Sequence, residues 1–309
     1  MSTKTKGYIL GAIAAATYGM NPLFTLPLYQ EGMDPNSVLF FRYLLSIPIL
    51  GIMTVSRGRN FRIHRKELGM TAVMGILAAL SSLMLFVSYN YMAAGIASSI
   101  LFVYPIMVAL IMAIGFKEKL TLQTILCTLL ALIGIALLYQ SDDGGEPLSM
   151  TGMALVMGSA LSYAIYIVGV NRPTLRNVAT VKLTFYVVTF GLLVFIVGTR
   201  FCTELTLPSH GLHWANLFAL ALFPTAISFL CTTTAAQYIG STPTAILGAL
   251  EPVTAVFFGV ALFNETMNGR IALGILLILL AVTMVIAGGK ITTQIVRFRK
   301  LFPRIIKHK

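Results

Sequence analysis

Ten apolar runs of about 20 residues follow one another along the chain, each the length a helix needs to cross the hydrocarbon of a bilayer. They lie near 7–29, 36–56, 68–92, 95–115, 120–140, 149–171, 178–200, 213–238, 241–263 and 268–289. No polar segment between them is long enough to build a soluble domain. Composition agrees: 57% of the residues are hydrophobic and 10% charged, against about 25% charged in ordinary soluble domains. The chain is thus read as a polytopic membrane protein.

The two halves echo each other. A shift of 147 positions superposes Tyr91 on Tyr238, Pro105 on Pro252, Phe116 on Phe263 and Glu118 on Glu265, and Asn90 falls on Gln237. A shift of 145 carries Gly7, Ala15 and Tyr18 onto Gly152, Ala160 and Tyr163. Such self-similarity indicates duplication. The partner of the first span in the sixth also argues that the first is a retained helix, although Lys4 and Lys6 before an apolar run resemble a signal peptide. Five spans per repeat is an odd number, so the halves must enter the membrane from opposite sides. The fold class expected is therefore an all-α membrane protein with ten transmembrane helices in two inverted five-helix repeats, 1–141 and 148–289, followed by a basic tail, 290–309.

Charge sets the orientation. With the N-terminus on one side and spans alternating, that side collects 19 of the 22 Lys and Arg. Only Arg200 and Arg270 fall on the other, and Arg42 lies within a span. The positive-inside rule then makes both termini cytoplasmic, in an inner membrane. The net charge of +12 comes with no nucleic-acid-binding module and no zinc spacing, so nucleic acid is not an expected partner. The tail sets Lys290, Arg297, Arg299, Lys300, Arg304, Lys307 and Lys309 among Ile291, Ile295, Phe298, Phe302 and Ile305, the pattern of a basic helix on anionic lipid; a solvated tail is the alternative. Three scattered cysteines give no disulfide framework. Gly7, Gly11, Ala15 and Gly19 recur every four residues and form a narrow face for close helix packing.

No enzyme motif, metal-ligand cluster or phosphate-binding loop appears, so neither cofactor nor metal is expected. What the spans carry is a sparse polar set: Tyr18, Asn21, Arg42, Tyr89, Asn90, Tyr104, Tyr163, Tyr166, Tyr186, Thr225, Ser228, Gln237 and Glu251. Aromatic faces, amides and hydroxyls suit an amphipathic small molecule, although helix-to-helix hydrogen bonds and interfacial tyrosines account for the same residue types. Glu251 stands apart as the one carboxylate at membrane depth, where insertion costs about 2.5 to 3.5 kcal/mol. It can serve as a neutral donor, a proton carrier, the counter-ion of a substrate amine or of Arg42, or a partner for local backbone. Tyr104 and Glu251 each precede a proline, Pro105 or Pro252. Each proline is expected to interrupt its helix and free the carbonyl four residues back, Leu101 or Gly248. Paired interruptions at corresponding positions of two halves are the sequence pointer to a transporter's binding site.

With Glu251-Pro252 in the ninth span and Glu118 and Glu265 closing the fourth and ninth, the chain resembles the EamA-type family of the drug/metabolite transporter superfamily over about 7–289. Tyr104 departs from the pattern by standing where the second repeat has Glu251. The resemblance implies an inner-membrane secondary transporter exporting amino acids or related small metabolites by alternating access, with helices 3, 4, 8 and 9 supplying much of the cavity wall and helices 1, 2, 6 and 7 contributing. Spans five and ten, poor in polar residues, suit the periphery or a homo-oligomer contact. A channel and a membrane-embedded enzyme are the competing classes.

Overall fold

The computed structural model describes residues 2–92, 97, 100–118, 121–138, 149–263 and 269–301, with the side chains of 259, 262, 263 and 288–301 left out of the account. Among these residues every regular element is helical: α1 Thr3–Tyr18, α2 Asn21–Gln30, α3 Pro35–Ser56, α4 Arg65–Ser88, α5 Tyr104–Phe116, α6 Leu122–Leu138, α7 Met150–Val170, α8 Pro173–Arg176, α9 Thr180–Gly198, α10 Gly211–Leu220, a π-helical turn Ala221–Ile227, α11 Ser228–Ile239, α12 Ser241–Leu247, α13 Leu250–Phe263 and α14 Gly269–Leu301. Local chemistry starts several of them. Ser2 and Asp34 accept hydrogen bonds from the Thr5 and Ser37 N–H groups at 3.1 Å, Ser149 caps Gly152, and His64 with Glu67 forms a capping box. Thr121, rather than the neighbouring Glu118, caps α6 through the Thr124 N–H at 3.1 Å.

Among the described residues, seven helical stretches are long and apolar enough to cross a membrane: Thr3–Gln30, Pro35–Ser56, Arg65–Ser88, Met150–Val170, Thr180–Gly198, Gly211–Ile239 and Gly269–Ala287. Helices α5 and α6 are apolar but shorter. The ninth apolar run is not one helix but two, α12 and α13, separated at Gly248–Ala249. The last helix does not stop near 289, as its apolar run suggests, but continues to Leu301.

Both prolines sit differently from expectation. Pro105 lies in the first turn of α5 and Pro252 is the third residue of α13. A first-turn N–H has no intrahelical partner anyway, so proline is tolerated there. Each proline opens a helix, and the interruption lies on its N-terminal side. The Gly248 carbonyl is not left free, because the Glu251 N–H bonds it at 2.9 Å in a tightened turn.

Packing pairs the halves crosswise. Helix α4 lies along α7, as α1 lies along α11; α5 meets α7, as α13 meets α1; α4 meets α9, as the π-helical turn meets α3; and α6 packs on α14. The small-residue face of α1 is used as expected. A Cβ at Gly7 would come within 2.9 Å of Tyr238 Cβ, and one at Gly152 within 3.0 Å of Tyr91 Cβ. The residues that the two sequence shifts match are thus in contact, first-repeat glycine with second-repeat tyrosine and the reverse.

Two further contacts tie the ends of the bundle. At one, Lys182 Nζ donates to the Arg62 carbonyl at 2.7 Å and the Tyr186 hydroxyl to the Phe61 carbonyl at 2.6 Å. At the other, the Thr206 N–H donates to Ser37 Oγ at 2.8 Å, Thr206 Oγ1 to Asp34 Oδ1 at 3.0 Å, and His213 Nε2 pairs with Glu31. In each case the loop after α3 or α9 closes over the other helix of that pair.

Candidate functional site

The broken helix positions the site. Between α12 and α13 the Ala249 N–H reaches only Ile246, at 3.1 Å, so the Ala245 carbonyl loses its ordinary helical donor. The Tyr104 hydroxyl supplies one from the first half at 3.0 Å, while the Gly248 N–H bonds the same carbonyl at 3.1 Å. Gly248 permits the approach, since a Cβ there would overlap the Tyr104 hydroxyl. A backbone irregularity at membrane depth is tolerated where protein or a cavity satisfies it, and both occur here.

The cavity beside this break is walled by Gly11, Ala14, Ala15 and Tyr18 of α1, Tyr104 of α5, Tyr163 and Ile167 of α7, Ser228 and Thr232 of α11, Thr244 of α12, Gly248 and Glu251. Its volume, about 20 Å³, admits roughly one water-sized molecule. Matched positions converge: Tyr18 with Tyr163, and Tyr104 with Glu251. The Tyr104 and Tyr163 rings meet edge-on at 5.0 Å, and Tyr163 stacks on the fully buried Tyr166 at 5.9 Å. Among the described residues, no side chain is hydrogen-bonded to or paired with the Glu251 carboxyl, which faces a wall otherwise of phenol, hydroxyl and small apolar groups.

Arg42 lies behind Tyr18, with its guanidinium carbon 5.6 Å from the centre of that ring. It is fully buried. Its Nε donates to Thr225 Oγ1 at 2.5 Å and Nη2 to the Pro224 carbonyl at 3.2 Å. Sequence explains the receptor: Pro224 has no N–H to give the Leu220 carbonyl, the chain widens into a π turn, and Thr225 Oγ1 bonds that carbonyl at 2.8 Å instead. Ser46 Oγ completes the junction, 2.9 Å from the Ala221 carbonyl.

Other residues of the sparse polar set are elsewhere. Asn90 is exposed just past the end of α4, and Gln237 donates to the Leu175 carbonyl at 3.4 Å, both at helix ends away from the cavity. Tyr89 packs on Phe86 with rings 5.6 Å apart. Asn21 starts α2 and is buried. Thr232 and Thr244 line the cavity without having been singled out; the available signal was the run Ser241-Thr242-Pro243-Thr244 before the break. No group of three or more metal-binding side chains occurs among the described residues.

The model of the EamA-like transporter family matches residues 5–140 and again 150–287. The chain belongs to the EamA-like transporter family. It is accordingly a multi-pass membrane transporter of the drug/metabolite transporter superfamily, and the family is one of transporters rather than enzymes. It is 24% identical over 300 residues to the uncharacterized transporter YvbV of Bacillus subtilis, covering 93% of each chain. It is 27% identical over 240 residues to human solute carrier family 35 member G1, covering 73% of this chain and 63% of that one. One crystal structure superposes with a TM-score of 0.74 over 91% of this chain and 96% of the other, at 19% identity, a likeness of fold alone.

Proposed function

We propose that this transporter is a secondary exporter of amino acids or related small metabolites that works by alternating access. In this reading ten crossings form two inverted repeats, 1–141 and 148–289, in the inner membrane, with both termini and the basic tail in the cytoplasm. The observation that carries it is the meeting of Tyr104 and Glu251, matched positions of the two halves, in one cavity beside a broken helix. Binding sites at the interface of repeats, built on discontinuous helices, are the arrangement of secondary transporters.

Three further features support the reading. Crosswise packing of matched helices is what a two-fold relation between the halves requires. The cation-rich loop Arg57–Lys66 meets Lys182 at one end of the bundle, and Glu31, Asp34 and Thr206 cluster at the other, in keeping with a cytoplasmic and an outer face. With contacts formed at both ends, the cavity is too small for a metabolite; admission of solute needs one end to part, which rocking of one repeat against the other provides.

Flux into proteoliposomes, measured for a metabolite library against empty vesicles, tests the function. Saturable uptake accelerated by the same compound on the far side is expected. Flux that never saturates would make the protein a channel, and product formation without a compartment would make it an enzyme. Orientation has its own native probe: the exposed Cys202 should react with an impermeant maleimide in intact cells, and labelling only after lysis would reverse the topology.

A further inference from the structure

Arg42 presents an unbalanced charge. Its side chain is fully buried, and among the described residues no carboxylate pairs with it. Two of its three nitrogens are used on the π-helical turn, while Nη1 is buried and has no hydrogen-bond partner. The hydroxyls of Tyr29 and Tyr43 are likewise buried without partners, and both tyrosines, with Tyr18, lie within electrostatic reach of Arg42. Donors without acceptors therefore gather around one positive charge. Buried charges are normally paired and buried donors bonded, so an unbalanced group of this kind calls for an acceptor that none of the described residues supplies.

From this we infer that Arg42 Nη1, with the Tyr43 hydroxyl within its electrostatic reach, is an anion subsite that takes the carboxylate of the transported solute. The inference rests on the transporter reading and adds a polarity to it. Tyr18 is the divider: its ring lies under the guanidinium, and its side chain also walls the cavity that holds Glu251. A solute spanning the two would meet a cation at one end, an aromatic surface in the middle and a carboxyl group at the other. The π turn fits this use, because it accepts two hydrogen bonds from Arg42 and so orients the guanidinium while leaving one terminal nitrogen available. Glu251, also within electrostatic reach of Arg42, is not bonded to it, so the guanidinium and the carboxyl group stay separately available.

The test is thermal unfolding of the purified full-length protein at constant ionic strength, with benzoate, acetate, chloride and benzylamine as probes. Benzoate and acetate should raise the midpoint by about 2 to 4 °C relative to chloride, and benzylamine should not. Arg42→Gln should abolish the rise. Should that variant not fold, Tyr43→Phe, which keeps the ring contacts with Phe195 and Phe229, should weaken benzoate binding by about 10-fold. No carboxylate-specific rise in the unaltered protein, an equal rise with benzylamine, or an undiminished rise in either variant would overturn the subsite. Because the readout is binding, its loss with flux intact would remove only the Arg42 assignment, whereas normal benzoate binding without flux of any metabolite would remove the transport reading instead.

Discussion

Tyr104 and Glu251 occupy the same place in the two repeats, one residue before a proline that opens a helix, yet they end in different chemical situations. The Tyr104 hydroxyl is bonded to the Ala245 carbonyl, and its side chain is only 3% exposed. The Glu251 carboxyl lines the same cavity with no bonded partner among the described residues. Duplication supplied one backbone device twice. In the first half the residue serves the second half's broken helix; in the second half it lines the cavity without a bonded partner among the described residues. A phenol can satisfy a carbonyl and remain buried at modest cost, whereas a buried carboxyl demands either a proton or a cation.

The strongest way to break this contrast is Glu251→Gln. Gln keeps size and hydrogen bonding but removes the charge and the exchangeable proton. If the carboxyl couples protons or pairs with a solute cation, flux at equal membrane abundance should fall by about tenfold or more, the effect of about 1.4 kcal/mol, and its pH dependence should flatten. Normal flux with an unchanged pH profile would put Glu251 with Tyr104 as a structural residue.

Gly248→Ala attacks the other side of the comparison. The new methyl would overlap the Tyr104 hydroxyl, and relieving such overpacking typically costs about 1 to 3 kcal/mol. Removing the obstructing atom in the pair Gly248→Ala with Tyr104→Phe should recover part of that loss. A double variant no more stable than Gly248→Ala alone would show that the crowding is with backbone, the Ala245 carbonyl being 3.0 Å from the same Cβ.

Tyr104→Phe by itself should be milder. The Ala245 carbonyl retains the Gly248 N–H, so the expected cost is about 1 kcal/mol in thermal unfolding, with flux changed much less than in Glu251→Gln. A flux loss equal to that of Glu251→Gln would mean that the phenol, too, contacts the solute, and the two repeats would be chemically closer than the hydrogen bonds suggest.

The same contrast explains which features were legible from residues alone. Apolar length located the spanning stretches but not the breaks within them, and the repeat shifts identified positions that meet: Gly7 with Tyr238, Gly152 with Tyr91, and Tyr18, Tyr163, Tyr104 and Glu251 around one cavity. A duplicated residue is held at an equivalent depth and azimuth, so symmetry does the work that periodicity cannot do in helices apolar on every side. Asn90 and Gln237 match equally well, yet a shared position says nothing of whether it is central, and theirs is at helix ends. Pro252 announced an interruption but not its site, because proline fits a first turn and the strain is passed back to Ala245–Ala249. Pro224, which was not singled out from the sequence, sits in the π turn between α10 and α11, and the donors that satisfy the turn's carbonyls, Arg42 and Ser46, lie about 180 residues away in the chain.

The smallest expected effects lie at the ends of the bundle, where the comparison becomes one between two closures. Tyr186→Phe removes the bond to the Phe61 carbonyl at one end, and Thr206→Val removes the bond to Asp34 at the other. Both bonds are exposed, so each should contribute about 0.5 to 1 kcal/mol and neither loss should unfold the protein. If they are the two gates of one cycle, weakening them must bias the conformational equilibrium in opposite directions by about two- to fivefold. Cys231 is a native reporter, 8% exposed on α11 between the cavity residues Ser228 and Thr232, and it lies past the midpoint of the stretch Gly211–Ile239, whose far end meets Leu175 just before Lys182. Its maleimide labelling rate should rise in Tyr186→Phe, which favours opening at the end carrying Arg62 and Lys182, and fall in Thr206→Val, which favours the opposite opening. Rates that move together in both variants would show general loosening of the bundle, and the two contacts would then be ordinary loop anchors without a part in access.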